Sequence, residues 1–314
     1  MKQLLKWTSA VVLVGILVMG AIFWERPIEV YQALAEAGMR LKGASSKTTE
    51  VGGMRVHYYV MGPEGGRPVV LVHGLGGRAE DWKNLAPYLS SAGFRVYMPD
   101  LPGYGQSEKP AAFSYSVNDE ADVVVGFLDA MGLKKVDLGG WSMGGWIVQL
   151  VAVNHPERIN RLMLFDSAGL YVKPTWDTSV FTPENEAQVN DLNRLLTPNA
   201  QEVPGFVAKD IVRLSNKDGW VIQRAMAAML TGKETTDAML PKLAMPVLIL
   251  WGQKDEITPV QQGETMHRLI QGSELEVVAG CGHLAPRQCT AQMGPDVVGF
   301  LKSDATSSRS RNDN

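Results

Sequence analysis

From about residue 49 to 302, short β-branched apolar runs alternate with longer amphipathic ones. The strand-like runs are Val51 to Val60 with a Gly52-Gly53 turn, Pro68 to Val72, Phe94 to Met98, Val136 to Leu138, Arg161 to Phe165, Val247 to Trp251 and Leu275 to Val278. Helix-like stretches fall near Glu80 to Ser91, Val117 to Met131, Gly144 to Asn154, Pro259 to Ile270 and Ala291 to Leu301. Apolar runs too short for helices, separated by helical periodicity, predict an α/β fold with a doubly wound, mostly parallel sheet. An antiparallel hairpin leads into it.

Between about 171 and 243 the alternation stops. This stretch carries Pro174, Pro183, Pro198 and Pro204, and sets Val189, Leu192, Leu195 and Leu196 at helical spacing, which predicts a helical cap inserted after the sixth strand. The core therefore divides into a first part (49–170) and a second part (244–302) around the cap (171–243). The polar tail, 303–314, is expected to be disordered.

Upstream, Thr8 to Trp24 contains no charged side chain, with Lys2 and Lys6 before it and Glu25-Arg26-Pro27 after it. That length is about the minimum for crossing hydrocarbon, and the residues around Gly20 to Trp24 make a poor signal-peptidase site, so 8–24 is expected to be an uncleaved transmembrane anchor. If it were cleaved, the product would be secreted. The lysines place residues 1–7 in the cytoplasm and the remaining chain on the exported side. Residues 25–48 read as a connector, helical around Tyr31 to Leu41 and then Gly/Ser/Lys/Thr-rich.

The composition adds exclusions. With 45% hydrophobic residues and a formal charge of −3, the chain can bury a large core and presents no basic face for nucleic acid. Cys281 and Cys289, the two cysteines, form neither a disulfide framework nor a zinc pattern. They read as unpaired small apolar residues, with pairing left open for an oxidising compartment.

Ligands collect at the carboxyl ends of parallel strands, so the loops leaving the strands are where chemistry is expected. Gly140-Trp141-Ser142-Met143-Gly144 follows one strand and opens a helix, the context in which a G-x-S-x-G turn exposes a serine. A serine hydroxyl needs a base. Of the five histidines, His57, His155 and His267 read as structural or solvated, and His73 as a backbone-shaping residue of a glycine-rich loop. His283, in Gly280-Cys281-Gly282-His283 beyond the last strand, remains as the base. Asp255, after the strand Val247 to Leu250, is placed to orient it, with Glu256 and especially Asp166 as rivals. In His73-Gly74-Leu75-Gly76-Gly77 the Leu75 amide, together with that of Met143, is placed to receive an oxyanion. The loop Asp100-Leu101-Pro102-Gly103-Tyr104-Gly105-Gln106-Ser107 reads as structural, since no base lies near it in sequence. Trp141 and the cap residues Trp176, Phe181, Leu192, Leu195, Phe206, Met226 and Met229 form an apolar set suited to an acyl chain; singly, each cap residue also fits ordinary packing.

Through HGLGG, DLPGYGQS, GWSMGG, WGQKDEITP and CGH, the sequence over about 49–302 resembles the α/β-hydrolase family. The N-terminal span, the SMGG elbow, the DSAGL stretch at 166–170 and the CGH loop look like its membrane-anchored monoacylglycerol-lipase branch. That resemblance implies ester hydrolysis of single-chain acylglycerols or similar lipids, with no metal or organic cofactor. After the histidine, Ala285-Pro286-Arg287-Gln288 departs from the acidic-Arg-Pro run of relatives. The SMGG and CGH elements are also similar to those of carbon–carbon bond hydrolases acting on aromatic ring-fission products. Those carry Trp after the histidine, where Leu284 stands here. A third alternative is a catalytically silent, membrane-tethered binding protein, which should have lost a member of the triad.

Overall fold

Strands with apolar side chains on both faces must be covered on both faces, and this dictates the architecture. The computed structural model describes residues 19–303. Eight strands form one sheet: β1 (Ser45–Val51), β2 (Met54–Met61), β3 (Pro68–Val72), β4 (Arg95–Pro99), β5 (Val136–Trp141), β6 (Ile159–Phe165), β7 (Val247–Gly252) and β8 (Glu274–Val278). Their order is β1-β2-β4-β3-β5-β6-β7-β8, with β2 antiparallel to its two neighbours and every pair from β4 to β8 parallel.

One face is covered by α3 (Val117–Ala130), α4 (Met143–Asn154) and α7 (Gln261–Leu269), which contribute Phe127, Ile147 and Met266 to a continuous core. The other face is covered by α1 (Pro27–Leu41), α2 (Ala86–Ser91) and α9 (Thr290–Lys302), through Met39, Leu89 and Phe300. Ten of the residues of α4 are buried, so this helix is apolar all round, as a helix inside a core must be.

Three expectations need correction. The connector assigned to 25–48 is not irregular after its helix: Ser45 to Glu50 are already strand β1, an edge strand whose polar side chains face water. The helix expected over Glu80 to Ser91 is two pieces, a 3-10 turn at Ala79–Trp82 and α2, with Pro87 in the first turn of the latter. Cys281 and Cys289 are joined in a disulfide, their Cα atoms 6.4 Å apart. The chain reverses through the short helix α8 (Ala285–Gln288) between them, a return that composition alone cannot reveal.

Between β6 and β7 the described residues contain no strand. They form a 3-10 turn (Thr178–Phe181), α5 (Glu186–Leu196) and the long α6 (Gly205–Met229). The Asn185 side chain caps α5 by accepting from the Gln188 amide at 3.0 Å. Residues 19–25 are helical and lean on α6 through Trp24, which stacks on Phe206 with ring centroids 4.8 Å apart, and from α1 the Ile28 amide donates to buried Asp210. Most of the span expected at 8–24, residues 1–7 and the tail from 304 lie outside the described residues. Among those described, no helix is long and apolar enough to cross a membrane.

Candidate active site

Three loops at the carboxyl ends of β5, β7 and β8 bring Ser142, Asp255 and His283 together. The serine turn is forced by its neighbours. A Cβ on Gly140 would stand 2.2 Å from the Gly144 oxygen, and one on Gly144 would stand 2.3 Å from the His73 oxygen, so no larger residue fits either place. Between them Ser142 adopts φ 56°, a left-handed conformation that costs a non-glycine residue roughly 1–3 kcal/mol. The conformation is held by hydrogen bonds from the Ser142 amide to the Phe165 carbonyl and from the Ala168 amide to the Ser142 carbonyl, both 3.0 Å. The result is a hydroxyl lifted off the sheet at the start of α4.

The Ser142 Oγ lies 2.9 Å from Nε2 of His283, and the Nδ1 of that ring lies 2.8 Å from Oδ2 of Asp255. Asp255 accepts from the amides of Ile257 and Thr258 through Oδ1, and from the Thr258 hydroxyl through Oδ2. An acceptor carboxylate at Nδ1 fixes the ring proton there and leaves the Nε2 lone pair facing the serine. The indole of Trp141 donates to the His283 carbonyl at 2.8 Å, and the Cys281–Cys289 bridge closes the loop that carries the ring.

Asp166, the rival acid, is fully buried close by but makes no hydrogen bond to His283. One carboxyl oxygen accepts from the Gly252 amide at 2.6 Å and the other has no donor. Burial, and then the charge of adjacent Asp255, push its carboxyl well above the ordinary range. Glu256 takes no part in the contact with the ring. His73 is buried and shapes its loop: Nδ1 donates to the Gly74 carbonyl and Nε2 accepts from the Leu101 amide, while burial lowers its affinity for a second proton. Leu75 lines the same cavity as Ser142, and Met143, as first residue of α4, has an amide with no partner inside the helix.

That cavity, about 610 Å³, is walled by Trp146, Leu170, Trp176, Phe181, Met226, Met229 and Ile257. Of the residues expected to hold a substrate, Trp176, Phe181, Met226 and Met229 line it. Trp141 does not; it lies under the His283 loop. Leu192 and Leu195 on α5 are also absent from its walls, and Phe206 is turned to Phe23 and Trp24 instead. Helical spacing places a residue on a face without saying which neighbour that face meets. Trp146 was legible but missed: it stands in the first turn of the helix that Ser142 opens, where its amide donates to the Ser142 carbonyl at 3.2 Å. The charged residues of the lining are Lys173 and Asp177, both exposed. No cluster of ligands suited to a metal occurs among the described residues.

Residues 67–210 and 231–286 match the model of the alpha/beta hydrolase fold family. The chain belongs to that family. It is 30% identical over 249 residues to the 2-hydroxymuconate semialdehyde hydrolase of Pseudomonas sp. strain CF600, covering 75% of this chain and 87% of that one. It is equally identical over 238 residues to the pimeloyl-[acyl-carrier protein] methyl ester esterase of Neisseria meningitidis strain Z2491, covering 70% and 72%. Among solved structures it is similar to a membrane phospholipase A, a bacterial virulence factor, with a TM-score of 0.81, 24% identity, and coverage of 99% of this chain and 100% of that one. These relatives include esterases, lipases and carbon–carbon bond hydrolases, and the chain is a hydrolase of this fold.

Proposed function

We propose that this chain hydrolyses carboxylic esters, monoacylglycerols or similar single-chain lipids, through an acyl-enzyme on Ser142. The observation that carries the reading is the 2.9 Å approach of His283 Nε2 to the Ser142 hydroxyl at the floor of an apolar cavity. Ser142 Oγ attacks the ester carbonyl as His283 takes its proton. The amides of Leu75 and Met143 receive the oxyanion, a contribution of about 3 kcal/mol per donor to the transition state. His283 then protonates the departing alcohol, and water activated by the same ring releases the acid. Asp255 keeps the imidazole in the required tautomer and offsets its charge.

The second reading, carbon–carbon cleavage of a ring-fission product, is favoured by the 30% identity to 2-hydroxymuconate semialdehyde hydrolase. Such a substrate is a carboxylate and calls for a cation held inside the pocket. Among the described residues Lys173 is the one cation in the lining, and it is exposed, which favours a neutral ester. Turnover of monoacylglycerols and p-nitrophenyl esters without cleavage of a vinylogous diketone supports the ester reading; the reverse pattern overturns it.

The anchor proposed at residues 8–24 would hold the domain on the exported face of a membrane. Its described end bears exposed Met19, Ile22, Phe23 and Trp24. Recovery of the full chain in the soluble fraction after cell lysis would contradict it.

A further inference from the structure

Ser142 is not alone in standing at the end of a histidine–carboxylate pair. Toward the β1 edge of the sheet, Ser46 Oγ on β1 lies 2.9 Å from Nε2 of His57 on β2, and Nδ1 of His57 lies 2.8 Å from Oδ2 of Asp100, just after β4. These are the two distances found for Ser142, His283 and Asp255. The likeness extends to how the acids are held. Asp255 accepts from the amides of Ile257 and Thr258, and Asp100 from those of Ala79 at 2.6 Å and Gln106 at 2.9 Å. His57 is 2% exposed and Asp100 is fully buried, whereas Ser46 lies partly exposed on the edge strand.

Burial would raise the Asp100 carboxyl, but the hydrogen bonds from His57, Gln106 and Ala79 help to win and hold it below the ordinary range. An ionised Asp100 can only accept, so the His57 proton sits on Nδ1 and the Nε2 lone pair is turned to the Ser46 hydroxyl. We propose that Ser46 is a second nucleophilic serine, a covalent acylation site for small activated esters arriving from solvent, with His57 as its base and Asp100 orienting that base. In the step, the Ser46 Oγ–acyl bond forms as the acyl–phenoxide bond breaks, and the hydroxyl proton passes through His57 Nε2 to the departing phenoxide.

The two sites differ in what surrounds the serine. Ser142 stands on a left-handed turn at the start of α4, in one cavity with Leu75, whereas Ser46 sits in a regular strand opposite Tyr59. Ser46 should therefore react with esters that carry a good leaving group and hold the acyl group, rather than turn over.

The test uses the full chain carrying Ser142→Ala, exposed to p-nitrophenyl acetate, with intact mass and peptide mapping as readouts. The expected result is one acetyl group per chain, on Ser46, arriving far faster than on exposed Ser91. The rate at Ser46 should fall by about 100-fold or more with His57→Gln, the usual contribution of a general base. Ser46→Ala alone should leave ester hydrolysis at Ser142 unchanged. Acetylation of Ser46 no faster than Ser91, or undiminished by His57→Gln, overturns the proposal. The comparison with Ser91 is made within one folded chain, so it decides the matter even if His57→Gln does not fold.

Discussion

Replacing Asp255 by asparagine tests the orientation of the base, and the structure says how the replacement should fail. The Asp255 Oδ1 position faces two amide donors, Ile257 and Thr258, so the asparagine carbonyl must take that place. Its NH2 group is then delivered to the Oδ2 position, 2.8 Å from His283 Nδ1. A donor there drives the ring proton from Nδ1 to Nε2, and Nε2 then donates to Ser142 where it had accepted. No side chain has moved, yet the base is lost. A wrong-tautomer replacement of this kind costs about 10⁴-fold in kcat, roughly 5 kcal/mol of barrier. The assay is p-nitrophenyl butyrate hydrolysis at saturation, with KM followed to show that the cavity is intact. Asp166→Asn is the control: burial and the adjacent Asp255 charge push the Asp166 carboxyl toward its neutral form, so a neutral amide accepting from Gly252 should keep kcat within a few-fold. Near-normal kcat in Asp255→Asn together with collapse in Asp166→Asn would pass the acid role to Asp166.

Other expectations follow from the cavity, the bridge and a buried carboxyl. Met226→Trp adds bulk to a 7% exposed wall residue and should lower kcat/KM for dodecanoyl relative to butanoyl esters by at least ~10-fold, since one methylene of misfit is worth roughly 1–3 kcal/mol; an unchanged ratio removes the acyl chain from this cavity. Cys281→Ser with Cys289→Ser opens a ring with a sequence separation of 8 and should lower unfolding free energy by about 2–3 kcal/mol in denaturant titrations. Glu120 is 1% exposed, neither carboxyl oxygen has a partner, and burial raises its affinity for a proton well above the ordinary range. It is thus protonated when folded and ionised when unfolded over the interval above the ordinary glutamate range, so its part in stability is full at low pH and is lost as pH rises toward the folded value, by about 1.4 kcal/mol per pH unit. Glu120→Gln should flatten the decline in melting temperature on the alkaline side; an identical decline in both proteins would contradict the burial argument.

The parallel strands were legible because each is a short apolar run bounded by turn residues, and β3 falls on Pro68 to Val72 as read. Strand β1 was not: Ser45 to Glu50 is polar because an edge strand with one open side needs no apolar face. The convergence of Ser142, Asp255 and His283 was readable from loop positions because the fold fixes which strand ends face one another. Asp100 was read as structural because no base is near in sequence, yet the β2–β4 pairing sets His57 beside it. Pairing of non-neighbouring strands supplies such contacts, and local pattern carries no trace of them. The same limit applies to Leu192, Leu195 and Phe206, read as part of an apolar set suited to an acyl chain and absent from the cavity lining.

Covalent capture tests the role of Ser142 as nucleophile. The full chain is treated with a long-chain alkyl fluorophosphonate, residual ester hydrolysis is followed over time, and the modified peptide is identified by mass spectrometry. The expected result is loss of activity in step with phosphonylation of Ser142, and, in Ser142→Ala, no phosphonyl group at residue 142 and no ester turnover. Complete modification of Ser142 with hydrolysis undiminished, or hydrolysis surviving in Ser142→Ala, would contradict it.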